Sequence, residues 1–491
     1  MIKVIIENNE FANEIEYSLA HIMRGLGEEY QIINFDEYLK IYDYENDKHY
    51  KIVYLRSNTA IEKYKLVLRN SIFIKGTQAI FGKNYLKIES LPQNMLEKDS
   101  IVDFYDNAEV LCRKEINNNC IISVDFISNT FYFLTRYEEC ILNKDRKLLD
   151  IHERFTAKNT LMYKYGFNER PIVDEYWYYL RGLLHEMGYD LKKTNNKLKV
   201  CLTHDIDEIQ KYYSIKNAIR SSASWAIKHR NIYKSFMEIQ EYIKGKSNYK
   251  KDAFWTFEKL VKLEKDRGFT ASYYFMTSGK ANVDNRYNFQ EERVKEVIQY
   301  LLKNDMEVGF HGGYDTFNNK KEFHNQLIPL VRLLDNYRFG MRQHFLRFKT
   351  PDTWRIQESE GILYDTTLGF ADAIGFRAGT SIPFKPYDIY SNRVINMWEI
   401  PLIVMDTSLK NEKYCNLTPE DSMKKIIKLM EVTKKYNGFF TLLWHNSSFD
   451  TSWREWSNMY EEILNYIYEN SGEGLSGKEL VNKYLLKGEV K

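Results

Sequence analysis

Long apolar runs are missing from this sequence. No stretch approaches the roughly 20 residues that a membrane-spanning helix needs, and the longest candidates, such as residues 438–444, have strand length. The opening residues turn acidic after a few apolar ones and lack a small-residue cleavage site, so they do not read as a secretory signal. Cysteine is scarce. The five cysteines (Cys112, Cys120, Cys140, Cys201 and Cys415) are odd in number and lack CxxC spacing, which argues against a disulfide framework and a thiolate zinc site. A dominant charge is missing as well. Lys plus Arg number 70 against 68 Asp plus Glu, for a net charge of +2, and that balance gives no reason to expect nucleic acid or an anionic membrane as partner. A soluble, cytoplasmic protein is the expectation.

What is present is enough for two domains. The chain has 491 residues, 44% of them hydrophobic, which suits more than one core. Residues 3–6, 51–56 and 71–75 read as strands and 13–25 as an amphipathic helix. A dense polar-aromatic stretch within 121–150 reads as a helix ending near Arg136, Glu138 and Glu139, and 173–188 as another. The polar charged run at 192–199 reads as a linker, so the expected division is 1–195, a smaller α/β module, and 196–491. Past the linker, strands are expected at 199–203, 270–276, 307–310 and 340–345, near Arg377, and at 394–402 and 438–444. Helices are expected at 253–267, 290–304, 322–336 and 419–436. Such alternation means parallel strands with outer helices, here an irregular (β/α)7-type barrel, closed or nearly closed. The gap between Asp207 and Ala253 is long for a βα loop and reads as either a lid or a packing insertion.

Catalytic residues of such barrels sit at the C-terminal strand ends, and four of the ten histidines fall at such ends: His204, His311, His344 and His445. Asp205 and Asp207, two apart, point to one side of their strand. Two close carboxylates are costly unless a cation or proton lies between them. Carboxylates and imidazoles with an open position are what a hydrolytic Zn²⁺-type centre needs. Each residue also has a plainer reading: Asp205 and Asp207 as helix caps, His311 as a core histidine beside two glycines, and His204 as a packed neighbour. Trp444, Trp453 and Trp456 either stack on a sugar ring or simply pack.

The motifs resemble those of the polysaccharide deacetylase (NodB-homology, carbohydrate esterase family four-like) family. Thr203-His-Asp-Ile-Asp207 is similar to its first motif and His311-Gly-Gly-Tyr-Asp315 to its H-x-x-x-H metal motif. Gly375-Phe-Arg-Ala-Gly-Thr-Ser, Trp398 to Asp406 and Leu443-Trp-His445 resemble the third, fourth and fifth. Asp150-Ile-His-Glu-Arg-Phe and Leu134-Thr-Arg-Tyr-Glu-Glu resemble an uncharacterised module that precedes a bacterial subgroup of these enzymes. The resemblance implies removal of acetyl from an N-acetylated saccharide with a divalent metal, Zn²⁺ by expectation. It implies Asp205 as general base, His445 as general acid, Arg377 as the group holding Asp205, and Asp406 as orienting His445 (a loop cap being the alternative for Asp406). Asp207 and His311 would be metal ligands, with Gly312 and Trp444 facing substrate. The second histidine of the metal motif is replaced by Asp315. Either Asp315 binds the metal through oxygen or His344 takes its place, and the alternation Arg342-x-His344 favours His344. Hydrolysis of another amide or ureide, and saccharide binding without catalysis, are the competing readings.

Overall fold

The computed structural model describes residues 1–7, 11–76, 112–142, 145–194, 196–335 and 338–486. Among the described residues its strands belong to one mainly parallel sheet, one wholly parallel sheet and one short hairpin.

The first sheet holds β1 (Ile2–Ile6), β2 (Tyr30–Asn34), β3 (Lys51–Leu55), β4 (Ser71–Lys75), β5 (Cys112–Glu115) and β6 (Asn119–Ile122). Their order is β2-β1-β3-β4-β6-β5, all pairings parallel except the β5–β6 hairpin. β1 and β3 are buried at every position, as strands covered on both faces must be. Helices Ala12–Leu26, Phe126–Leu134 and Ile172–Glu186 share one apolar cluster with this sheet, while helix Phe35–Ile41 belongs to the cluster on its other face. The helix expected within 121–150 is two helices, Phe126–Leu134 and Tyr137–Leu142, broken at Arg136, whose φ is +52°. One cysteine expectation is also corrected: Cys120 is disulfide-bonded, whereas Cys140, Cys201 and Cys415 are free.

The second sheet is built from β7 (Lys199–Ile206), β8 (Ser272–Phe275), β9 (Glu307–Gly312), β10 (Gly340–Gln343) and β11 (Tyr364–Asp365). A small hairpin, β12 (Tyr387–Asp388) with β13 (Arg393–Val394), interrupts it before β14 (Trp398–Glu399), β15 (Val404–Met405), β16 (Phe440–Leu443) and β17 (Glu473–Leu475). The order is β14-β11-β10-β9-β8-β7-β16-β15, with β17 also on β7 and every pairing parallel. The sheet curls, but its end strands β14 and β15 do not pair, so the expected barrel is open at that point. The strand expected near Arg377 is absent; residues 371–380 form turns. The strand expected at 394–402 is divided among β13, β14 and their connections, because the chain turns off the sheet after Val394.

Outer helices bury one stripe each against the strands. Helix Glu292–Lys303 inserts Val294, Val297, Ile298 and Leu301, the spacing of one helical face, each such side chain contributing about 1.5–3 kcal/mol. Helix Pro419–Lys435 starts cleanly because Thr418 Oγ1 accepts from Asp421 N at 3.1 Å and proline occupies the first turn. The inside of the curl is polar instead. Glu307 accepts from Ser272 Oγ and Tyr364 Oη, both at 2.7 Å, and a Cβ on Gly340 would lie 1.8 Å from the Tyr364 ring. Strand alternation therefore sends apolar side chains to the helices, while the inside holds these polar groups at the N-terminal strand ends and the small cluster around Tyr274 and Tyr364.

Candidate active site

Asp205 is the last inward-facing residue of β7, buried along its whole length, and Asp207 follows the strand's end. Opposite them, β9 delivers His311, and β10 runs into a turn carrying His344. β16 ends just before His445. His311 Nε2 lies 3.2 Å from Asp207 Oδ1, and His344 Nε2 lies 3.6 Å from the same oxygen. His445 Nε2 is 3.7 Å from Asp207 Oδ2. Asp207, His311 and His344 present ligand atoms all within 4.8 Å of one another.

Each imidazole is oriented by a partner on its other nitrogen. His311 Nδ1 faces the Arg342 carbonyl at 2.9 Å, and His344 Nδ1 faces Asp284 Oδ1 at 3.0 Å. Those contacts place the ring proton on Nδ1 and leave Nε2 as a lone-pair donor, the usual support of metal-binding histidines. His311 Nε2 and Asp207 Oδ1 are buried yet have no hydrogen-bond partner, a costly condition without something between them. Two imidazoles and a carboxylate with open positions suit Zn²⁺ or another first-row divalent ion. The donor set therefore fits a metal.

The electrostatics follow from the crowding. Burial pushes the Asp207 carboxyl up, but the three histidines reverse this and hold it well below the usual range. Burial opposes charge on His311, and Asp205 and Asp207 overcome it and raise its pKa. For His445, burial is outweighed by Asp406, which bonds Nδ1 at 2.7 Å, and the ring is raised to about 10. Asp406 is itself fixed by the His445 backbone N–H at 2.8 Å and Ser448 Oγ at 2.5 Å. Asp406 thus orients the His445 ring and favours its protonated form.

The structure places several of the expected residues away from the cluster. Arg377 does not hold Asp205. Its guanidinium makes a double hydrogen bond to Glu139 at 2.9 and 2.8 Å, because it sits on turns packed against the helix Tyr137–Leu142. Arg342 holds Asp205 instead, Nη1 to Oδ1 at 2.9 Å. Asp315 is not at the cluster; its side chain is 59% exposed and lies 3.6 Å from Arg347. It lies two positions past Gly313, where the chain has already left β9, so it overshoots the rim. Trp444 is fully buried among the outer helices, near Tyr460 and Trp453; alternation turns it outward as His445 turns in. The space above Gly312 is taken by Gln343 and Thr316, whose oxygens would lie 2.5 and 2.7 Å from a Cβ there, so packing demands this glycine. His204 faces outward too, bonded to Glu264 at 2.8 Å and the Trp444 carbonyl at 2.6 Å.

Sequence reasoning did not single out Arg154, which lines the cleft, or Asp284 and Arg342, which hold its side chains from behind. Asp284 lies in a loop without periodicity and gave no signal. Arg342 was visible only through its spacing from His344. Arg154 lies in the Asp150-Ile-His-Glu-Arg-Phe stretch, whose sequence alone points to no chemistry. It is pinned by Asp150 at 2.8 Å, by the Phe345 carbonyl at 2.9 Å and by Tyr414 Oη at 3.0 Å. Phe345 and Leu346 both have positive φ, a strained turn costing about 1–3 kcal/mol per residue; Arg154 and the His152 ring, 4.5 Å from Phe345, brace it. Arg154, Tyr414, Met405 and Asn411 line the cleft with the acids and histidines, enclosing about 230 Å³.

Comparison with known proteins adds the following. Residues 3–189 match a family described as a family of unknown function, DUF7033. No curated protein matches the chain. Among solved structures, a protein described as a polysaccharide deacetylase from Mycobacterium smegmatis is 12% identical, with a TM-score of 0.40, covering 61% of this chain and 94% of that one. A protein from Bordetella bronchiseptica, described as a polysaccharide deacetylase involved in O-antigen biosynthesis, is 12% identical with a TM-score of 0.25, covering 48% and 85%. A GH138 enzyme targeting pectin rhamnogalacturonan II is 10% identical with a TM-score of 0.24, covering 95% and 63%. The acids and histidines of the cleft all lie outside the DUF7033 segment, which contributes Arg154 to it.

Proposed function

We propose that the cleft is a metal-dependent hydrolytic centre that removes acetyl from an N-acetylated saccharide. The observation that carries this reading is the flanking of one three-donor cluster by two groups of opposite proton chemistry. On one side stands Asp205, with Oδ2 3.9 Å from His311 Nε2. On the other stands His445, its Nδ1 bonded to Asp406 at 2.7 Å and its Nε2 3.7 Å from Asp207 Oδ2. Asp207, His311 and His344 would hold the ion. When bound, a divalent ion supplies Lewis acidity toward the acetamide carbonyl and activates water at neutral pH.

The chain's own residues do the rest. Arg342 occupies Oδ1 of Asp205, leaving Oδ2 to take a proton from the attacking water. His445 gives its Nε2 proton to the departing amine nitrogen, which cannot leave as an anion. Asp406 keeps that ring oriented and favours its protonated form. A cleft of about 230 Å³ is below the usual ligand-pocket range and suits an acetamido group with part of one ring. Arg154 and Tyr414 offer hydrogen-bond donors at its wall. The motif resemblance over residues 196 to about 460 points to the same chemistry.

The test is to purify the protein, measure its metal by mass spectrometry, and follow acetate release from N-acetylated sugars beside amide and ureide controls. About one equivalent of metal and acetate from the sugars are expected. A protein that takes up no divalent ion, or that cleaves only the controls, would refute the deacetylase reading.

A further inference from the structure

Between β7 and helix Phe257–Lys265 the chain forms a hairpin of two helices, Ile215–Ile227 and Ile232–Ser247, which contributes nothing to the cleft's acids and histidines. The helices are tied by Ser222 Oγ, 2.9 Å from the Ser235 carbonyl and 2.8 Å from its hydroxyl. Their inner side is anchored to the body through acids. Glu238, buried, accepts from Trp225 Nε1 at 3.0 Å and pairs with Lys211 at 2.8 Å. Glu241 pairs with Lys211 at 2.6 Å and accepts from the Thr451 hydroxyl, on the segment after β16, also at 2.6 Å.

What the hairpin turns outward has the opposite character. Ile215, Ile219 and Ile227 fall on one face of the first helix and are exposed; Ile232, Phe236 and Ile243 do the same on the second. The two isoleucines at the tip, Ile227 and Ile232, are 76% and 79% exposed and bracket Lys228, His229 and Arg230. Residues 215–247 hold seven Lys and Arg against two Glu, and both glutamates are the ones turned inward. Lys216, Arg220, Lys228, Arg230, Lys244 and Lys246 are exposed and form no ion pair among the described residues. The near-neutral total charge of the chain hides this local excess.

We propose that this hairpin docks the protein on an anionic lipid membrane surface, its isoleucines entering the headgroup–acyl boundary and its cations resting on lipid phosphates. A soluble surface keeps apolar side chains scattered; here they are aligned in stripes with unpaired cations beside them, the composition of helices that lie in a membrane interface. Lys and Arg stems reach along apolar surface while their heads stay with the phosphates. A second copy of the chain fits less well, because a two-fold contact sets the same cationic surface against itself. The hairpin leaves β7 at the end that carries Asp207, so docking brings the rim of the cleft toward the bilayer. The docking does not depend on the reaction assigned to that cleft.

The test is co-sedimentation of the full chain with vesicles of equal parts phosphatidylcholine and phosphatidylglycerol, and with phosphatidylcholine alone, at low salt. Sedimentation with the anionic vesicles is expected. Ile227→Ser with Ile232→Ser should weaken it about tenfold or more with the unfolding midpoint unchanged, since both side chains are already in water. Lys228→Gln with Arg230→Gln should weaken it and reduce its sensitivity to salt. The proposal is overturned if the wild-type chain ignores anionic vesicles or if the serine pair binds as well as wild type. It is equally overturned if the chain is a dimer without lipid that the serine pair makes monomeric, which assigns the stripes to a second copy.

Discussion

Arg342 and Arg377 are both buried and both hold a buried carboxylate, yet they leave that carboxylate in different conditions. Glu139 receives two hydrogen bonds from Arg377 and two more from Arg136, at 3.1 and 2.9 Å. Burial would raise its pKa, but the two guanidiniums outweigh this and hold it at about 2. Three of those four bonds fall on Oε1, and Oε2 also accepts from Thr350 Oγ1 at 3.4 Å. Asp205 meets Arg342 through one oxygen alone, because that guanidinium is divided among Asp205, Thr203 Oγ1 at 2.8 Å and the Thr366 carbonyl at 3.0 Å. Its second oxygen faces the cluster. A carboxylate saturated by arginine is a joint of the fold, whereas one held by a single oxygen keeps the other open to the cleft. The contrast separates residues that look alike in sequence.

The largest expected effect is at the half-satisfied carboxylate. Asp205→Asn should lower turnover by about 10²–10⁴-fold, the usual range for a general base, while the metal content and unfolding midpoint stay near wild type. His311→Ala should lose both metal and turnover, measured on the same preparation. A wild-type rate in Asp205→Asn would erase the distinction between the two carboxylates. Next comes the saturated one. Glu139→Gln leaves two guanidiniums facing a neutral amide and should cost about 3–5 kcal/mol in urea unfolding, the range for breaking a buried ion pair. The rate per folded molecule should hardly change. A fall in rate without a fall in stability would place Arg377 in the catalytic machinery after all.

The same pair predicts a pH dependence. The folded pKa of Glu139, about 2, lies below its ordinary value of 4.5. A depressed carboxyl contributes stability that is complete above the unfolded value and is lost as pH falls through the folded one. Wild type should therefore lose about 3 kcal/mol between pH 4.5 and 2 from this residue. Glu139→Gln should show a shallower decline over that window in urea titrations. Parallel curves would mean that Glu139 is not the buried anion described here.

The parts of the fold that could be read in advance are those with a period. β4 and the long strands β7 and β9 announce themselves by buried runs, and helix Pro419–Lys435 by its stripe and its Thr-Pro start. Rim histidines were visible because strand ends could be placed. β11, β14 and β15, two residues each, are too short to carry any alternation, and the sheet's opening lies between two of them. Arg377 was expected beside Asp205 because its neighbours resemble a motif, while the carboxylate it contacts, Glu139, is 238 positions away. Nothing local encodes such a pairing. Arg154 is similar: its sequence stood out, but its approach to the cleft depends on how the first 195 residues pack against the second sheet. The hairpin after Asp207 was legible as an overlong, partly helical gap, and its outward stripes required a structure to show which face is covered.

The smallest expected effect belongs to Asp315, a carboxylate neither saturated by arginine nor held at the cluster. Its contact with Arg347 is 3.6 Å long and open to water, so Asp315→Asn should change stability by less than about 1 kcal/mol. It should also leave metal content and turnover at wild-type levels. His344→Ala is the matched opposite: its Nε2 lies 3.6 Å from Asp207, its other nitrogen is braced by Asp284, and its removal leaves two donors where three converge. Metal affinity should then fall by at least the 10–100-fold that accompanies loss of a mere supporting contact. Titrating each variant with zinc in competition with a chromophoric chelator measures both on one scale. If Asp315→Asn were the variant that lost zinc, the rim turn at residues 313–315 would have to swing inward in the metal-loaded protein, and His344 would be its structural neighbour.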